Sequence, residues 1–96
     1  MFRHFPSVAE MDRDLATCQK ALDLAGDLAD PALIAETHVI RGYVRMIKSI
    51  CLIANGIAGK KELDPGAKAA VQAAFDELST AGEEVAANLE AWRQAV

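Results

Sequence analysis

A single run, residues 31–58, dictates most of what this chain can become. It reads PALIAETHVIRGYVRMIKSICLIANGIA, one long helix sorted into an apolar side and a basic side. Asp30-Pro31 opens it, because Asp is a preferred N-cap and proline at the first helical position gives up only an N–H that lacks a partner there. At about 100° per residue, Leu33, Ile40, Val44, Ile47, Cys51, Ala54 and Ala58 share one face, with Val39, Tyr43, Met46, Ile50, Ile53 and Ile57 beside them. Together they cover roughly half the circumference, wider than the ~100° stripe of an ordinary surface helix. The pattern predicts that this side lies in a core with neighbours on more than one flank. His38, Arg41, Gly42, Arg45, Lys48, Ser49 and Asn55 take the opposite side, and only Glu36 falls among the apolar residues. Arg41, Arg45 and Lys48 interrupt the apolar run, whereas a membrane span needs ~20 predominantly apolar residues. The expectation is a core helix with no part in a membrane.

The 96 residues suit one domain, 1–96, able to bury about two thirds of its unfolded surface. Hydrophobic residues make up 52% and aromatics only 5%, because alanine and aliphatics dominate. These are strong helix formers, and β-branched and aromatic residues are sparse outside the central run. An all-α fold follows. The start, MFRHFPSVAEMD, has no apolar run followed by a small-residue cleavage site, so the expected location is cytoplasmic. Cys18 and Cys51 both fall on apolar faces and read as reduced core residues.

Charge is unevenly laid out. The net charge is −4, yet residues 37–61 hold five basic side chains and no carboxylate. The remaining residues carry the other five basic and all fourteen acidic ones, or −9. Either the basic stripe lies against acidic neighbours of the same chain, or Arg41, Arg45 and Lys48 form a binding surface for an anionic partner.

Along the chain, residues 1–6 are expected to be extended, with Phe2 and Phe5 covering an end of a bundle. Ser7-Val8-Ala9-Glu10 has the form of a capping box. A first helix then runs to about residue 29, with Met11, Leu15, Cys18, Leu22, Ala25 and Ala29 in the alternating four-three steps of a packing seam. Asp30 alone separates it from the central helix, which predicts a tight antiparallel hairpin. Glycines 56 and 59 stop the central helix, residues 60–62 form a short loop, and Asp64-Pro65 opens a third helix. Its seam is Val71, Phe75, Leu78, Gly82, Val85, Leu89, Trp92 and Val96. Thr80-Ala81-Gly82-Glu83 could cap a second segment there, but the unbroken seam favours one helix.

Three such helices make an up-down-up antiparallel bundle, with Ile47 and Leu89 expected mid-core. The third helix, about 45 Å long against about 33 Å for the first, leaves apolar surface over. A homodimer sharing the second and third helices is the simplest way to cover it.

One string carries chemistry. His38-Val39-Ile40-Arg41-Gly42 resembles the active stretch of histidine-phosphotransfer domains, in which the phosphorylated histidine is followed by two residues, then Lys or Arg, then Gly. The resemblance implies a helical bundle with a phosphoryl group on His38, Arg41 neutralising it one turn on, and Gly42 leaving room for a receiver domain. It covers five residues. Tyr43 and Val44 stand where the family has small residues, and Lys48 where it has a further glycine.

No nucleophile–base set or phosphate-binding glycine loop has supporting spacing, and no metal or cofactor is expected. His4, His38, Cys18 and Cys51 contain no pair at i,i+4 or C-x-x-C spacing. A pI near 5.0 argues against nucleic acid. The sequence therefore points to a non-enzymatic regulatory protein that binds another protein through the basic helix face or an exposed apolar surface. Phosphotransfer through His38, Arg41 and Gly42 is the alternative.

Overall fold

Each helix starts where the sequence supplies an oxygen to cap it. The computed structural model describes residues 7–59 and 61–96. Helix α1 (Val8–Leu28) begins behind Ser7, whose hydroxyl accepts from the Glu10 N–H at 3.1 Å. Helices α2 (Pro31–Ile57) and α3 (Pro65–Ala95) each follow an Asp-Pro pair, Asp30 accepting from the Leu33 N–H and Asp64 from the Ala67 N–H. Such caps contribute about 1 kcal/mol each. The chain leaves α1 through Ala29 in the left-handed region, φ 52°, so that the N–H groups of Ala29 and Asp30 reach back to the Ala25 and Gly26 carbonyls. Glycine usually holds that position. Helix α3 passes through Thr80–Glu83 without interruption, Ala81 being fully buried within it. The expectations for residues 1–6, Phe2 and Phe5 included, and for Lys60 fall outside the described residues.

The fold is all-α, as composition implies. Helix α2 packs against both others, whereas α1 and α3 do not approach each other among the described residues. The three helices therefore pack with α2 in the middle. A Cβ added at Gly42 would lie 2.4 Å from Val85 Cγ2, and one at Gly56 2.7 Å from Val71 Cγ2. Fourteen residues forward on α2 thus match fourteen back on α3, which makes the two helices antiparallel and in one register. Lys48 of α2 bonds to Asp12 of α1, and only Ala29 and Asp30 join those two helices, so they also run antiparallel.

The side of α2 that turns inward includes Gly42 and Ser49 of the polar face, which corrects the sequence expectation in part: Cys51 of the apolar face is buried as expected and Val39, Val44, Met46 and Ile53 are half-buried. Ala35, Thr37, Gly42, Ser49 and Cys51 are its buried residues. Leu33, Ile40, Tyr43, Ile47, Ile50 and Ile57 are 37–50% exposed. Leu89 of α3, expected in the core with Ile47, is also 42% exposed.

Side-chain size accounts for the difference. Ala35, Gly42, Ser49 and Gly56 recur every seven residues on α2, and Ala67, Ala74, Ala81 and Asn88 do so on α3. Small residues let two backbones come close along their length, so many weak dispersion contacts accumulate. The hydroxyls that this burial demands are satisfied locally: Thr37 donates to the Leu33 carbonyl at 2.8 Å and Ser49 to the Arg45 carbonyl at 2.9 Å. On the other flank Met11, Cys18 and Ala25 of α1, again seven apart, are buried against α2.

Candidate protein interface

The basic stripe of α2 forms the floor of a furrow between α1 and α3. Leu15, Arg45, Lys48, Leu52, Ala70 and Glu77 are among its lining residues, around a volume of about 230 Å³. Acidic side chains stand on both walls. Arg45 donates a two-pronged pair of hydrogen bonds to Glu77, Nε to Oε2 at 3.1 Å and Nη2 to Oε1 at 2.6 Å, and its Nη1 also bonds to Glu84. Lys48 Nζ donates to Asp12 Oδ1 at 2.6 Å. The Arg45 hydrogen bond holds the Glu77 carboxyl below the usual carboxylate range, and Glu77 in turn raises the Arg45 guanidinium. Of the three expected binding residues, Arg45 and Lys48 thus direct their charge to the same chain. Arg41, one turn before Arg45 on α2, is half-buried, and its Nε has no hydrogen-bond partner.

His38 lies at one end of this stripe, half-buried. Burial, then the nearby Arg41, pushes its pKa below the ordinary histidine value, with Glu84 opposing, so the ring is neutral at pH 7. Gly42 is buried, and Val85 of α3 fills the space over it.

Burial raises the pKa of both cysteine thiols, with Asp14 adding to the effect at Cys18 and Arg41 opposing it there. They are held away from the thiolate form that reactivity needs.

The largest uncommitted feature is the outer side of α2. Leu33, Glu36, Ile40, Tyr43, Ile47, Ile50, Ala54 and Ile57 follow one another in steps of three and four, which places them in one stripe along the helix. All eight are exposed. The stripe continues onto α3 through an open hollow of about 280 Å³, lined by Glu36, Val39, Ile40, Tyr43, Leu89 and Trp92. Phe75, fourteen residues before Leu89 and so near the same side of α3, is 50% exposed. Apart from Glu36 and the small Ala54, the stripe is made of large apolar side chains. No helix among the described residues is long and apolar enough to cross a membrane.

Compared with known proteins, the chain matches no family model, no curated protein and no solved structure. Geometry alone must carry the functional conclusion.

Sequence reasoning found these apolar residues but assigned them to the interior. The signal that assigns the sides is the seven-residue spacing of small residues, 35, 42, 49 and 56 on α2 against 67, 74, 81 and 88 on α3. Hydropathy gives such a stripe little weight, because alanine, glycine and serine score low.

Proposed function

We propose that this chain is a small non-enzymatic association module that binds another protein through the outer face of α2 and the adjoining edge of α3. The observation that supports it is the continuous apolar stripe from Leu33 to Ile57, left uncovered while Gly42 and Ser49 are packed away. Ile40, Tyr43, Ile47 and Ile50 form the centre of the contact in this reading, with Leu89 and Trp92 at its edge. Tyrosine and tryptophan are the residue types that most often dominate interface energies. Arg45 and Lys48 hold the scaffold that presents them. Regulation by association needs no reacting group. Thiols kept protonated by burial suit a reducing compartment, and a cytoplasmic location belongs to the same proposal.

A photoreactive phenylalanine analogue placed at Tyr43, compared with the same analogue at Lys20 on the exposed side of α1, tests this directly. Irradiation in cells should yield protein adducts from position 43 and none from position 20. Silence at position 43, or equal labelling at both, would refute an interface on this face.

A further inference from the structure

We infer that the occupant of this face is a second copy of the chain, its α2 lying antiparallel to the first about a two-fold axis level with Arg45. The inference rests on the association reading above and names the partner and the register.

The spacing of the stripe is palindromic. Reversed about residue 45, its eight positions fall on one another: Leu33 on Ile57, Glu36 on Ala54, Ile40 on Ile50, and Tyr43 on Ile47. A two-fold interface requires such a surface, in which residue i meets j and j meets i. Every large apolar residue then meets another, and the one charge meets the one small residue. Ala54 leaves the Glu36 carboxylate a route to water.

Competing arrangements do worse on the same residues. A parallel pairing in register would set Glu36 against Glu36 across the axis, and opposed like charges are destabilising. An antiparallel pairing shifted by one heptad leaves two stripe positions on each helix without a partner.

The hollow beside the stripe fits the same pose. It is bounded by Ile40 and Tyr43 on α2 and by Leu89 and Trp92 on α3, the stretch that faces Ile47 and Ile50 of the copy. Knobs entering holes between side chains are the packing mode of paired helices.

Charge points the same way. An anionic membrane is a poor match, because helices that lie on membranes carry Lys and Arg on their polar face for the lipid headgroups. Here Arg45 and Lys48 on that face are paired with Glu77, Glu84 and Asp12.

Two single-cysteine additions, Glu36→Cys and Ala54→Cys, test partner and register together. Both sites are exposed, and the buried Cys18 and Cys51 of the parent protein supply the background. Mild oxidation of a mixture of the two variants should give a disulfide-linked dimer joining one of each. Neither variant alone should cross-link, since residues 36 of the two copies would lie about 27 Å apart along the axis. Cross-linking of Glu36→Cys with itself would overturn the antiparallel pose, and a dimer that forms no mixed disulfide would overturn the register. A monomer whose position 43 labels a different protein, or which floats with lipid vesicles, would remove the second copy. In the first of those cases the association reading stands; a silent position 43 removes both.

Discussion

Gly42 is the residue on which the approach of α2 to α3 depends most. Alanine there gains about 1 kcal/mol of helix propensity, but its methyl would meet Val85 Cγ2 at 2.4 Å. Val85 is buried and β-branched, so it cannot turn aside cheaply. Overpacking of this kind costs about 1–3 kcal/mol, and Gly42→Ala should lower the urea midpoint overall. Val85→Ala in the same chain should recover part of the loss, which a double-mutant cycle reads. Gly26→Ala is the contrasting case: nothing lies within 4 Å of the added methyl, so the midpoint should rise, by up to about 1 kcal/mol.

Two titrations give the fold an acid-sensitive side. Glu77 has its pKa lowered by Arg45, so its contribution is complete above the ordinary carboxylate range and is lost as pH falls through that range into the lowered one. His38 has its pKa lowered by burial, so the unfolded chain takes up the proton first as pH drops below the ordinary histidine value, about 6.5. Both effects reduce stability as pH falls, the histidine first. In denaturation midpoints measured against pH, His38→Gln should flatten the upper part of the profile and Glu77→Gln the lower part.

At the scale of elements, the starts of all three helices were legible because Ser7, Asp30 and Asp64 are local signals that tertiary packing does not override. So was the hairpin, since two residues between helices leave few other paths. Which side of α2 turns inward was not legible from hydropathy. The rule that large apolar residues fill the interior assumes that one chain supplies the whole core. Here α2 spends its small residues on α3 and leaves Ile40, Tyr43, Ile47 and Ile50 outside. The candidate site was half legible for the same reason. Its residues stood out, but as core, and Gly42 of the His38–Gly42 string is buried against Val85.

The energetic consequence separates two truncations. Met11→Ala removes a buried side chain and should cost about 2–5 kcal/mol in unfolding. Ile47→Ala should change the folding of a single chain by less than about 0.5–1 kcal/mol, because Ile47 is already 37% exposed there. Its effect should appear instead as a weaker association, read as a midpoint less dependent on protein concentration.

For the whole molecule, packing α1 and α3 against α2 leaves the stripe from Leu33 to Ile57 exposed, and in the proposed dimer a second copy covers it. Anything that binds only the folded chain raises its apparent stability by mass action, so the melting temperature should climb with protein concentration. Ile47→Glu with Ile50→Glu should abolish that dependence while leaving the helical circular dichroism in place, since these side chains are already 37% and 43% exposed.

Sedimentation equilibrium at micromolar concentration, on the wild type beside this double variant, is the most direct measurement of the central claim. The wild type should give a mass near twice 10.3 kDa and the variant a mass near 10.3 kDa. A wild type that sediments as a single chain throughout the accessible range, or a variant that remains a dimer, would contradict it.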